Sequence, residues 1–300
     1  MAENIVIIST TKPNPQQEVA VQHLISKVHE YDQTFRDPYL SNRFNYFSDM
    51  PALFLALHGE ELIGLLTLYA DEDPSGSVDV TLNVVPAWRR QGVAKQLWQA
   101  ARPVLQQYGY HDAEFLVEKA FLTAAPNFLA NTELAADPVS EFQMALKVNS
   151  HHERDTDLDV AALQAADIPA LLPAYVDAFP DSNKEEANRY LTENLQSHSS
   201  CGYVCRYQGK LIGYCAVDFG EYDYLFGLFI AKNYRGQGLG SRFIAQLTQQ
   251  LAAVRHHSFK LAVESDNPAA HHVYRKANFK DESEIFYLQA EQGLWHLEKL

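Results

Sequence analysis

An apolar run at 224–230 leads into Arg235-Gly236-Gln237-Gly238-Leu239-Gly240, and an amphipathic stretch follows to about 254. A strand, a glycine turn and a helix in that order form a phosphate cradle. Glycine adopts positive φ freely and lets a ligand approach the backbone closely. The first N–H groups of a helix lack intrahelical acceptors and carry partial positive charge, so a pyrophosphate placed there accepts several backbone hydrogen bonds. Two dinucleotide readings fail on spacing. A Rossmann turn needs Gly-x-Gly-x-x-Gly, whereas Gly236, Gly238 and Gly240 alternate. A P-loop ends in Gly-Lys-Ser/Thr, whereas Gly240 is followed by Ser241 and Arg242. The cysteines offer less. Cys201, Cys205 and Cys215 are odd in number and lack ligand spacing. They read as reduced, packed thiols, with no metal site expected.

The elements that must position such a turn occur twice. Arg89-Arg90-Gln91-Gly92-Val93-Ala94 stands 146 residues before the second turn, and the same spacing carries Phe115-Leu-Val-Glu118 onto Leu261-Ala-Val-Glu264. Leu62-Ile-Gly64 matches Leu211-Ile-Gly213 at a spacing of 149. A spacing near half of a 300-residue chain means a tandem duplication. The expected domains are 1–149 and 154–300, joined by the polar stretch 149–156. In the second half the pattern predicts strands at 157–163, 203–207, 211–219, 224–230 and 259–264. Helices are expected from an Asp167 cap to 179, over 184–197, from the turn to about 254, and through 276. Residues 286–289 are expected to close that half's sheet. The 224–230 run reads as buried on both faces. Pro103 and Pro173 fall inside expected helices and should kink or shorten them.

Composition bounds the function. At roughly 100–200 residues per domain the length alone favours two. Hydrophobic residues at 47% and charged residues at 21% exclude a disordered or collagen-like chain. A formal net charge of −14, negative in both halves, argues against nucleic acid or an anionic membrane as partner. No apolar run approaches the about 18 residues of a spanning helix, and the first residues lack a signal-type apolar core. The sequence reads as that of a cytoplasmic protein, and a homodimer is compatible with it.

The segment Leu228-Phe229-Ile230 through Arg235-Gly-Gln-Gly238-Leu-Gly240 resembles motif A of the GCN5-related N-acetyltransferase (GNAT) superfamily. That signature, Gln/Arg-x-x-Gly-x-Gly/Ala, is filled by Arg235, Gly238 and Gly240. Downstream, Asn267-Pro-Ala-Ala-His-His-Val-Tyr274-Arg-Lys-Ala-Asn278-Phe279 resembles motif B. Asn278 stands where the family has glycine, and asparagine tolerates the left-handed helix end required. The first half fits motif A through Arg89, Gly92 and Ala94. At the same spacing, however, Phe121, Phe128 and Glu133 replace Asn267, Tyr274 and Phe279. The resemblance implies an α/β protein of two tandem acyl-CoA N-acyltransferase folds, each a central mixed β-sheet flanked by helices. The first would be degenerate and do no acyl transfer; the second would be catalytic. The implied reaction moves an acetyl group from acetyl-CoA to a primary amine of a small molecule or peptide, by direct attack in a ternary complex. The co-substrate would lie on Leu228, Phe229, Ile230, Arg235, Gly236, Gln237, Gly238, Leu239, Gly240, Ser241 and Asn267. Tyr274 would protonate the departing thiolate.

Such a reaction needs a neutral amine. At pKa about 10.4 a primary amine is charged at pH 7, a penalty of roughly 4–5 kcal/mol that a base must relieve. Asp218, Glu221 and Asp223 are the candidate bases, and would also draw a cationic acceptor. Glu264 ranks below them, because Glu118 repeats it in the half that lacks the Asn and Tyr. His271 and His272 read as surface histidines. Tyr203, Tyr207, Tyr222 and Phe226 read as core more readily than as an acceptor pocket. The rival function is a non-catalytic acyl-CoA-binding sensor or scaffold; Asn267 and Tyr274 count against it for the second half.

Overall fold

The computed structural model describes residues 5–132, 134–147, 155–180 and 182–290. Most of the 149–156 linker, and Glu133, lie outside the described residues. The first half runs β1 (Ile5–Thr10), α1 (Pro15–Asp32), β2 (Leu53–His58), β3 (Glu61–Tyr69), β4 (Ser77–Val84), α2 (Val93–Gln107), β5 (Asp112–Glu118), α3 (Lys119–Ala124), α4 (Phe128–Thr132) and β6 (Leu134–Leu146). The second half runs β7 (Leu158–Ala162), α5 (Ile168–Ala178), α6 (Lys184–Gln196), β8 (Ser200–Tyr207), β9 (Lys210–Phe219), β10 (Asp223–Ile230), α7 (Leu239–Arg255), β11 (Phe259–Glu264), α8 (Pro268–Lys276) and β12 (Lys280–Ala290).

By contacts the chain forms two compact units, Met1–Glu141 with Ser283–Leu300, and Phe142–Glu282. The first unit's sheet has the order β1-β2-β3-β4-β5-β12, and the second's β6-β11-β10-β9-β8-β7. Each unit thus completes its sheet with a strand from the other half of the sequence. Residues 286–289 do not close the second sheet: Ile285–Leu288 pair antiparallel with Glu118–Phe115 in the first unit. Only long-range pairing decides this, and local periodicity carries no trace of it.

Each sheet is covered on both faces, as strand alternation requires. In the second unit Cys215, Val217, Leu225 and Phe259 face α7, which contributes Phe243, Ile244 and Leu247. The intervening Tyr214 and Ala216 face α5 and α6 through Tyr175, Ala187 and Leu191. In the first unit α2 buries Leu97, Trp98 and Leu105 on one face, and α1 buries Val21, Leu24 and Val28 on the other. Each such fully buried side chain contributes roughly 1.5–3 kcal/mol. The two prolines do not end their helices, which run on to Gln107 and Ala178. Asp167 does not cap α5 through its side chain. It accepts from the Gln164 N–H at 3.1 Å and from Arg206 at 2.5 Å, fixing the turn before the helix.

Candidate active site

In the second unit β10 and β11 run parallel, but their ladder covers only Asp223–Leu225 against Phe259–Leu261. Beyond it the strands part. Residues 226–228 are therefore half-exposed, and within 224–230 the expectation of burial on both faces holds only for Leu225 and Phe229. A bulge between Phe226 and Phe229 shifts β10 against β9, with Gly227 at φ 59°. The corresponding pair in the first unit, β3 with β4, is regular from Gly64↔Val84 to Tyr69↔Asp79. A bulge leaves backbone groups outside the ladder and aims them elsewhere. Sequence reasoning missed it, although a glycine inside an otherwise aromatic strand is its signal.

The glycine turn closes the open end of this cleft. Gly236 and Gly238 sit at φ 76° and 72°, and Gly238 caps α7. A β-carbon at Gly236 would meet nothing within 4 Å, so open space lies over the turn. At Gly240 it would lie 3.4 Å from Val273, so this glycine lets α7 approach α8. The side chains around the turn serve it from behind. Arg235 donates to the Ile230 carbonyl at 2.7 Å and to Asp177 at 2.8 Å, bracing the strand end against α5. Gln237 donates to the Asn233 carbonyl. Leu239 is buried in the core, and Ser241 is buried with its hydroxyl on the Gly238 carbonyl. These residues leave backbone N–H groups, not side chains, to face a ligand. The first unit repeats the brace: Arg89 donates to the Val84 carbonyl and, through both terminal nitrogens, to Asp32.

Tyr274 lies on α8, buried in the core beneath α7 with Cys215 and Leu225. Burial raises its phenol well above the ordinary value, and the neighbouring Cys215 and Tyr224 push the same way. Its hydroxyl therefore stays protonated through the neutral range. Asn267 caps α8 by accepting from the Ala270 N–H at 3.0 Å. Asn278 takes the left-handed conformation at φ 70°, as the resemblance implies.

The three candidate acids do not converge. Asp223 is fully buried and accepts from Arg255 Nε at 3.0 and 3.1 Å, on the α7 side. It anchors the end of α7, a structural task that removes it from the candidate bases. Asp218 pairs with Tyr224 across the strands, on the opposite face, and is half-buried. Glu221 is exposed in the turn. His271 is bound to Asp281 at 2.6 Å and stacks on Phe142 at 5.1 Å. Glu118 accepts the N–H groups of Phe35 and Arg36 at 2.9–3.0 Å, so this acid is structural in the first unit.

In the first unit β4 and β5 also part, after Val80 and Phe115. A cavity of about 760 Å³ opens there, walled by Leu82, Trp88, Phe121 and Phe128 and reaching the turn at Gly92. The aromatic replacements of motif B thus line a void rather than fill it. Asp79, on the same strand, has its carboxyl raised to about 7 by burial, which Arg36 opposes and the charges of Asp71, Glu141 and Glu114 reinforce. Its folded pKa exceeds the unfolded value of about 3.9. The folded state keeps a proton that the unfolded chain gives up, so the contribution is full below about pH 4 and is lost as pH rises through 7. Asp79→Asn should therefore gain about 2 kcal/mol over the parent between pH 4 and pH 8, discounted for solvent on a half-buried group. Urea unfolding at the two pH values checks this; parallel changes in both proteins would overturn it.

The family model of the acetyltransferase (GNAT) family matches residues 20–130 and 168–279. The chain belongs to that family, with two copies of its fold. Solved structures share the architecture over nearly the whole length. A GCN5-related N-acetyltransferase from Sphaerobacter thermophilus is 14% identical at a TM-score of 0.73, over 97% of this chain and 96% of that one. A tandem GNAT protein from the clavulanic acid biosynthesis pathway is 16% identical at 0.67, over 96% and 99%. A GNAT-family acetyltransferase from Colwellia psychrerythraea is 18% identical at 0.59, over 95% and 99%. At these identities the likeness is one of fold. No curated protein matches the sequence. Among the described residues no helix is long and apolar enough to cross a membrane.

Proposed function

We propose that the second unit transfers an acetyl group from acetyl-CoA to a primary amine in a ternary complex. The observation that carries this reading is Tyr274. Its side chain is buried and its phenol is kept protonated, beside strands that part and near a glycine turn with open space over it. A thioester supplies an activated acyl carbon and a sulfur leaving group. The chain's own residues supply the rest. The N–H groups at the start of α7 receive phosphates, and the unladdered part of β10 offers main-chain partners to an extended arm. The amine nitrogen bonds to the acyl carbon, the C–S bond breaks with its electron pair on sulfur, and the Tyr274 hydroxyl gives that sulfur a proton. The amine's own proton leaves to a base; Asp218 and Glu221 remain the acids that draw and deprotonate a cationic acceptor. Acetyl-CoA with a panel of polyamines, aminoglycosides, amino acids and peptides tests this, read as free thiol. Thiol release with at least one amine supports transfer; release with none, in a protein that binds CoA, overturns it.

The first unit supports a second reading for itself, an acyl-CoA-binding module without turnover. The cavity of about 760 Å³ favours it, since the unit keeps the turn and the cleft while Phe128 stands where the second unit has its tyrosine.

A further inference from the structure

The register break in β10 is faced by a single residue. Phe226 pairs with Ala216 and Phe229 with Tyr214, so Gly227 and Leu228 oppose Cys215 alone. Two residues against one is the count of a β-bulge. The Cys215 thiol reaches across the break. Its sulfur lies 3.7 Å from the Phe226 carbonyl oxygen and 3.4 Å from that of Ala216. The side chain is fully buried, and burial raises the thiol well above its ordinary value, so the sulfur keeps the proton it donates. Two residues earlier on β9, Gly213 receives the far end of the bulge. A β-carbon there would lie 2.7 Å from the Phe229 carbonyl oxygen, a main-chain atom that no rotamer change can clear.

The first unit has neither device. Leu66 stands 149 residues before Cys215, offers no donor, and pairs directly with Leu82 in an unbroken ladder. Gly64 stands where the second unit has Gly213. A β-carbon on it would meet the side-chain tips of Val93 and Leu97 at 2.8 and 3.0 Å, and no carbonyl. The repeated glycine therefore admits a helix in one unit and a displaced strand in the other. The break also lies at one particular depth in the second unit's cleft. The ladder to β11 ends at Leu225, and Leu225, Cys215 and Tyr274 share one core. The glycine turn follows the opposite end of β10, after Ile230. The bulge is thus at the Tyr274 end, and the half-exposed residues 226–228 belong to it.

We propose that Cys215, together with Gly213, is a positioning residue for the transfer: the thiol holds the Phe226 carbonyl at the break, which keeps the main chain of Gly227 and Leu228 turned toward the acyl end of the thioester. This rests on the function proposed above and names residues that serve the site without touching substrate. Amide hydrogen exchange and steady-state kinetics with the best amine test it together. Cys215→Ala and Cys215→Val both lose the donor while changing side-chain volume in opposite directions. Both should speed exchange at 227 and 228 about two- to tenfold, the range for one lost hydrogen bond. Both should lower kcat about tenfold through misplacement of the reacting groups, with KM for acetyl-CoA little changed. Gly213→Ala, which pushes on the main chain itself, should lower kcat further. A loss in Cys215→Ala that Cys215→Val restores would mean that the thiol only fills space, and overturns the assignment. Unchanged exchange in both variants overturns it as well, as does a rise in KM in step with a lowered melting temperature. If the parent releases no thiol with any amine, the transfer reading falls and the catalytic part of this assignment with it, while exchange still decides whether Cys215 sets the break.

Discussion

Tyr274→Phe lowers the rate of acetyl transfer by roughly 10²–10⁴-fold, the range for a positioned acid, with little change in CoA affinity. The substitution removes one oxygen from a side chain whose ring is buried in the core, so packing and fold are kept. Only the proton donor is lost. The raised phenol also fixes the shape of the pH profile: the hydroxyl is still protonated as pH passes the ordinary value of about 10. An alkaline limb below that pH in the parent enzyme must come from another group and should persist in the variant. Steady-state kinetics with the best amine, from pH 6 to 10, read both quantities. A variant with the parent's rate across that range would mean that solvent protonates the sulfur and that Tyr274 only packs.

Gly238→Asp abolishes CoA binding by the second unit, a loss of at least about 100-fold, because like charges brought together cost several kcal/mol. The fold should survive. Position 238 is at φ 72°, which aspartate tolerates better than most residues, and the only atom near a β-carbon there is the Lys276 nitrogen. Gly238→Asn adds the same bulk without charge, so a much smaller loss in that variant separates electrostatics from crowding. Calorimetry with Gly92→Asp in the background isolates the event. Unchanged affinity in a folded Gly238→Asp protein would place the co-substrate elsewhere.

Much of this site is local chemistry and could be read from sequence. The glycine turn and the left-handed Asn278 each follow from a residue type at one backbone position, and both stand as expected. Side-chain direction was less legible. Arg235 has the right charge for a phosphate, but its partners Ile230 and Asp177 come from a strand and a distant helix, so it braces the turn from behind. The acids at 218, 221 and 223 are close in sequence, yet a hairpin sends Asp218 and Asp223 to opposite faces. Asp223's partner, Arg255, lies a whole helix away. Strand parity gave warning of the first fact; nothing local gave warning of the second. The bulge at Gly227 had a signal that went unused.

The exchange of strands has a consequence for how the protein is made. The first unit is not finished when its half of the message has been translated. Its β5 pairs with residues 285–288, so that edge waits for some 165 further residues to be synthesised. At bacterial or eukaryotic elongation rates the delay is about 8–35 s. Through that interval a nascent sheet presents unpaired N–H and C=O groups, the template on which stray strands and aggregates grow. β12 is thus the last piece of the first domain, and a ribosome that stalls or a message truncated shortly before that strand leaves the first domain unfinished, although its own half of the sequence was made long before.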